Sequence, residues 1–333
     1  MSADALIYQN HISALEPCRS STTRRGFLAR SASVGLGAVG FAAAQALQES
    51  GMRGTAAAIE PPERPLAAFF KFSLAAYSYR DLLKTPNGTL DLFGFVDDCA
   101  KFGLQGTELT SYYFPADVTD DYLRRLRRHC FRLGLDVSGT AVGNDFGHPT
   151  GAKRSAEIAG VKRWIERAAI LGAPVIRIFA GHQQPGQTAA EAHRLMVDGM
   201  QECCDYAGNY GVHLALENHG GPTETAAGLL ELVRDVDSPW FGANLDTGNF
   251  RSADVYREMT QVAPYALNVQ VKVVVSGPDG QKQPSDFRRL AKILRDARYR
   301  GYIVLEYEES GDPRTECERF LDEIRDTFSE QVT

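Results

Sequence analysis

The chain has 333 residues, a net charge of −6, a pI of about 5.7 and 44% hydrophobic residues. That is room for one α/β barrel of typically about 250 residues plus a leader, and little for a second large domain. No Lys/Arg block stands apart from the leader, so nothing marks a nucleic-acid binder, and the hydrophobic content is too low for a membrane protein.

Thr22-Thr23-Arg24-Arg25-Gly26-Phe27-Leu28 matches a twin-arginine export signal. A weakly apolar run from Ser31 to Ala46 follows and ends in an A-x-A cleavage candidate, Ala44-Gln45-Ala46. The run is shorter than the ~20 residues needed to cross a bilayer, so no stable membrane span is expected. Residues 1–46 therefore read as a signal peptide and residues 47–66, with Gly51, Gly54, Pro61, Pro62 and Pro65, as a linker. Residues 67–330 are the folded domain. The expected partner of the leader is the twin-arginine export machinery, and the expected location is the periplasm or cell envelope. Six cysteines without a C-x-x-C make a disulfide framework or zinc finger a poor reading.

After Pro65, short β-rich runs alternate with longer amphipathic ones. Strands are expected at 69–76, 106–111, 135–142, 174–180, 212–217, 241–246, 267–275 and 302–307. Helices are expected near 91–102, 119–133, 153–171, 188–209, 223–236, 252–260, 285–298 and 313–328. Thr119, Thr188, Thr223, Ser252 and Ser285 stand where N-caps belong, and Gly103, Gly134, Gly172, Gly211 and Gly301 where helices end. Eight strands alternating with eight helices predict a (β/α)8 barrel of one domain. The alternative, an open doubly wound sheet, lacks a Gly-x-Gly-x-x-Gly phosphate loop.

Four of the late strands each carry an oxygen-bearing side chain: Glu217 in LALEN, Asp246 in GANLD, Gln270 in LNVQV and Glu306 in IVLEY. Their gaps of 29, 24 and 36 residues place one on each of four consecutive strand–helix units. In a barrel the strand ends share one mouth, so these oxygens would suit a hard divalent cation.

The chain resembles the xylose-isomerase-like barrels, the sugar phosphate isomerase/epimerase superfamily. The resemblance spans roughly 68–328 and rests on GTEL at 106–109, IRIF at 176–179, LENHG at 216–220, NLDTGN at 244–249 and LEYE at 305–308. Ketose epimerases of this family hold a divalent metal with Glu, Asp, His and Glu. The resemblance puts Glu217, Asp246 and Glu306 on three of those positions and Gln270 on the His position. A Gln oxygen still suits Mn²⁺, with Mg²⁺ or Co²⁺ as substitutes, whereas Lys272 on the same face could enter the site instead. The implied chemistry is proton abstraction next to a carbonyl through an enediolate, with Glu217 and Glu306 as the acid/base pair.

Substrate-contact candidates are His219, His182, Arg177, Glu108, Lys272 and Asn249. Arg177 should pair with Glu108 or Glu217, and Glu108 reads equally as structural. Tyr77, Tyr79, Tyr112, Tyr113 and Trp240 are candidates for a sugar pocket, and Asn144, Asp145 and His148 for a lid. The leading expectation is a metal-dependent sugar isomerase or epimerase acting on a carbohydrate, compatible with a homo-oligomer. The alternatives are a lyase or hydratase on keto-glycosides and a noncatalytic carbohydrate-binding barrel.

Overall fold

The computed structural model describes residues 60–84 and 88–330. The twin-arginine signal and most of the linker fall outside the described residues; 60–66 carry no helix or strand. The barrel strands are β1 (Phe69–Ala75), β2 (Gly106–Thr110), β3 (Asp136–Ala141), β4 (Val175–Ile178), β5 (His213–Glu217), β6 (Phe241–Asp246) and β7 (Ala266–Val271). A hairpin follows, β8 (Val274–Ser276) and β9 (Lys282–Pro284), and β10 (Arg300–Leu305) closes the barrel between β7 and β1. All eight barrel strands run parallel. The expected (β/α)8 barrel is therefore the observed fold.

The short α1 (Arg80–Leu83) precedes an outer layer of α2 (Leu92–Lys101), α3 (Asp120–Arg132), α4 (Ala152–Leu171), α5 (Ala189–Gly208), α6 (Ala226–Asp235), α7 (Val255–Val262), α8 (Phe287–Asp296) and α9 (Pro313–Ser329). Each helix turns its apolar stripe onto the strands; in α8, Phe287, Leu290, Ala291, Ile293 and Leu294 are buried. Thr119 caps α3, and Thr188 caps α5 in a reciprocal box with Glu191.

Three expected caps are displaced. Thr225, Asp254 and Asp286 cap α6, α7 and α8 in place of Thr223, Ser252 and Ser285. Two of the displaced hydroxyls have other work: that of Thr223 accepts the His219 N–H at 2.9 Å, and that of Ser285 donates to the Lys272 carbonyl at 2.7 Å. Gly301 lies inside β10; the turn after α8 is made by Arg298 at φ 51°.

The expected strand 267–275 is two strands. β7 stops at Val271, and β8 pairs antiparallel with β9 across a turn in which the Gly280 N–H donates to the Gly277 carbonyl. Gly280 has φ 74°, a conformation that favours glycine. An apolar run that continues past a barrel strand's end does not reveal where the chain leaves the barrel.

The barrel interior is unusually polar. β2 and β7 are separated by β10 and β1, so contacts between them cross the interior. The Glu108 carboxylate on β2 accepts Gln270 Nε2 at 2.7 Å and Asn268 Nδ2 at 2.8 Å, both from β7. Asn268 Nδ2 also reaches Asn244 Oδ1 at 2.9 Å, and Asn244 Nδ2 donates to Gln270 Oε1 at 2.6 Å. The four side chains form a closed ring in which both Glu108 oxygens and the amide oxygens of Asn244 and Gln270 have partners, as buried polar groups require.

Candidate active site

The four oxygen-bearing residues lie at the same end of the barrel, which the strand register fixes: Glu217 pairs with Asn244, Asp246 with Gln270, and Val304 with Gln270. Glu217 and Asp246 end β5 and β6, and Glu306 follows β10 directly. The Glu306 N–H donates to the Val271 carbonyl at 3.0 Å, which extends the β10–β7 pairing by one residue.

Glu217 is held from two sides. Its Oε2 lies 2.8 Å from Arg177 Nε, and its Oε1 accepts Asn249 Nδ2 at 2.9 Å. Arg177 Nε makes no aligned hydrogen bond, so this buried pair is held by charge rather than by a directed N–H. The guanidinium sits 4.0 Å from the centroid of Phe179, whose ring packs on His219 at 4.5 Å. Burial drives the Glu217 pKa well above the carboxylate range and the neighbouring acids add to that, against the opposing charge of Arg177. Burial works against Arg177 as well, but Glu217, Tyr112 and Glu306 together outweigh it and leave the guanidinium firmly charged. Burial, with the charge of Arg177, lowers the His219 pKa, so this imidazole is neutral at neutral pH.

Asp246 is fully buried. Asn218 clamps its backbone through two hydrogen bonds, and its Oδ1 accepts the Gly248 N–H at 2.8 Å. Its Oδ2 has no hydrogen bond and faces Lys272 Nζ at 3.3 Å. Burial pushes this carboxyl up to about 7, against the Lys272 charge. The Lys272 ammonium also reaches Glu306 Oε2 at 2.6 Å and Glu308 Oε1 at 2.8 Å. Those three acids keep it protonated despite its burial.

The donors suit a hard divalent cation. Four carboxylates (Glu217, Asp246, Glu306, Glu308) face two cations, Arg177 and Lys272. An excess of negative charge and an orphaned Asp246 oxygen are what such an ion would relieve. Among the described residues no three of His, Cys, Asp or Glu converge closely enough to grip an ion as they stand. Lys272 stands between Asp246 and Glu306.

The remaining sequence candidates divide. Arg177 pairs with Glu217 rather than Glu108, and Asn249, His219 and Lys272 all stand at the acid cluster. Gln270 donates from its amide to Glu108 in the interior ring, and its oxygen keeps one lone pair beyond the Asn244 bond. Glu108 is 0% exposed, with both oxygens committed to the ring, and burial raises it to about 7. His182 is 75% exposed and lines a separate cleft with His193 and Met196 between α5 and α6. Its backbone N–H donates to Asp145.

Tyr79 and Tyr113 are core residues, and Trp240 stacks on His213 at the entry end of β5, away from the mouth. Asn144 clamps both the N–H and the carbonyl of Phe179, and Asp145 accepts the Gly147 and His182 N–H groups, so this stretch is tied down rather than free to act as a lid.

Sequence reading missed Glu308, Asn218, Phe179 and the ring residues Asn244 and Asn268. Asn residues inside otherwise apolar strands were the available signal for the ring, since a buried amide needs partners.

No curated protein matches the chain. Solved structures do. A D-psicose 3-epimerase of Clostridium cellulolyticum with D-tagatose superposes with a TM-score of 0.65 at 16% identity, over 78% of this chain and 99% of the other. A 3-keto-D-glucoside 4-epimerase of E. coli gives 0.62 at 16% identity over 78% and 99%. A probable 3-DHS dehydratase of Bacillus anthracis gives 0.58 at 18% identity over 78% and 99%. At such identities the likeness is one of fold. The sequence profile of the Xylose isomerase-like TIM barrel family matches residues 96–326, well over half of the chain, and the protein belongs to that family.

Proposed function

We propose that this protein is a divalent-metal-dependent sugar isomerase or epimerase that removes a proton from carbon next to a carbonyl. The observation that carries the reading is the pair of glutamates at one mouth, each held by its own cation. Glu217 on β5 lies against Arg177, and Glu306 after β10 lies against Lys272, with Asp246 between them in the strand order. Glu217, Asp246, Glu306 and the free lone pair of Gln270 would hold the ion, Mn²⁺ by donor type. Such an ion supplies stabilisation of the negative charge that grows on the substrate oxygens.

The rest of the chemistry belongs to the chain. Glu306 and Glu217 stand on opposite sides of Asp246, so one can accept the proton and the other return it. Asn249 fixes the Glu217 carboxylate, and the Phe179–His219 wall offers an apolar face to a sugar ring and keeps water off it. We take the substrate as an unphosphorylated sugar, in keeping with the export to the periplasm or cell envelope expected from the Arg24-Arg25 signal.

A second reading, a dehydrating lyase on a keto-glycoside, draws on Lys272. Its ammonium, between Glu306 and the partly exposed Glu308, could donate to a departing hydroxyl oxygen after the same proton abstraction.

The test is solvent exchange. The purified protein with Mn²⁺ is incubated in D₂O with free ketoses, aldoses and keto-glycosides and followed by NMR. Exchange of one carbon-bound proton, abolished by EDTA, is the expected result. Exchange that persists in the stripped protein overturns the metal assignment. Elimination products in place of exchange favour the lyase.

A further inference from the structure

We propose that Lys272 is a built-in counter-ion that holds the oxygens of Asp246 and Glu306 in the metal-free protein and surrenders them by moving out onto Glu308 when a divalent ion binds. The inference rests on the metal reading above and concerns what the chain itself does at that site.

Three features support it. The first is the contact set. The ammonium lies against three acids: it donates to Glu306 at 2.6 Å and stands 2.8 Å from Glu308 and 3.3 Å from Asp246. These acids differ in depth. The Asp246 side chain is 0% exposed and that of Glu308 41% exposed, so the contacts run from the buried floor of the site toward solvent.

The second feature is the anchoring. The Lys272 backbone is pinned at both ends, its N–H to Thr247 Oγ1 at 2.9 Å and its carbonyl to Ser285 Oγ at 2.7 Å. The root of the side chain runs over Gly248, where an added Cβ would stand 2.4 Å from Lys272 Cγ and 2.7 Å from Lys272 Cβ. The root is fixed and given room, which leaves the long flexible stem to carry the tip from one acid to another.

The third feature is charge. A dication on Asp246 and Glu306 and an ammonium on the same oxygens repel each other strongly in a buried site, so they exclude one another. With Glu308 still available beside it, the ammonium keeps a partner after it leaves the deeper acids. Without that outer carboxylate its displacement would leave a buried charge unpaired, which is costly.

The test is a Mn²⁺ titration of the metal-stripped full chain, read from the EPR signal of free Mn²⁺, which does not depend on activity. Lys272→Met removes the competitor and should bind Mn²⁺ about tenfold more tightly or better than the wild type. Glu308→Gln removes the outer resting place and should bind it more weakly, again by about tenfold. Glu308 is partly exposed, so this variant keeps the test decisive if Lys272→Met does not fold. Equal affinities of the wild type and either variant overturn the proposal, as does weaker binding by Lys272→Met, which would make Lys272 a builder of the site. Absence of Mn²⁺ binding by all three proteins overturns the metal reading itself, and the proposal with it.

Discussion

Two buried polar regions lie one above the other in this barrel, and they are built on opposite principles. The interior ring of Glu108, Asn244, Asn268 and Gln270 holds one acid among three amides, and each amide hydrogen bond in it has a good acceptor. The mouth holds four acids and two cations, with an Asp246 oxygen that accepts no hydrogen bond and an Arg177 Nε that is misaligned with its Glu217 neighbour. A closed network rigidifies and costs little once formed; an open one stores charge that a ligand can relieve. Glu108, an acid on a barrel strand, is closed into the ring, whereas Glu217, Asp246 and Glu306 stand at the mouth, where the proposed chemistry needs them. Residue type does not separate them; the state of their hydrogen bonds does.

The comparison can be broken by removing one acid from each region. Glu306→Gln should leave the fold intact, because the amide still accepts from Lys272, and lower turnover by about 10³-fold, the usual worth of a general base. A variant of undiminished turnover would remove Glu306 from the chemistry. Glu108→Leu should do the reverse. It strands amide hydrogens of Gln270 and Asn268 in the interior and should cost about 3 kcal/mol in urea unfolding. Its Gln counterpart, which keeps an acceptor oxygen, should cost less. A Glu108→Leu protein as stable as the wild type would show that the ring carries no structural load.

Smaller effects sharpen the picture. Asn249→Ala frees one oxygen of Glu217 and should lower kcat about tenfold, with the melting temperature nearly unchanged. Equal kcat values would leave Asn249 a bystander. Outside both regions, His213 is half-buried against Trp240, and burial lowers its pKa. The unfolded chain then binds more protons than the folded one between the depressed folded pKa and the ordinary histidine value near 6.5. Stability from this group is present above that value and falls as pH drops through the window. Stability measured at pH 5.5 and 7.5 should depend less on pH in His213→Gln than in the wild type. An unchanged slope would dismiss His213 as a contributor.

Most of the barrel was legible in the chain. Alternation of apolar strands with amphipathic helices, and capping residues such as Thr119 and Thr188, reflect local backbone physics. Errors arose where local signals were degenerate. Ser252 and Ser285 cap as well on paper as Asp254 and Asp286, and the apolar run past Val271 hid the point at which β7 ends and the hairpin begins. In the site, Glu217, Asp246 and Glu306 were legible because each stands at or just past a strand's end, whereas Glu308, two residues further on, was missed. The partner of Arg177 was open between two acids, and only the fold chose Glu217.

The sequence by itself determined the order and type of the elements and therefore the end of the barrel at which Glu217, Asp246 and Glu306 gather. Parallel strands of similar length, closed into a ring, leave their C-terminal residues nowhere else to go. Only the tertiary structure decided that Gln270 and Glu108, 162 residues apart, share a hydrogen bond across the interior, and that Lys272 lies among three acids. The reason is physical. Backbone periodicity is a local property, whereas the tips of Lys, Gln and Glu are carried on flexible stems. Where those tips settle depends on charges and hydrogen-bond partners that the closure of the barrel brings together.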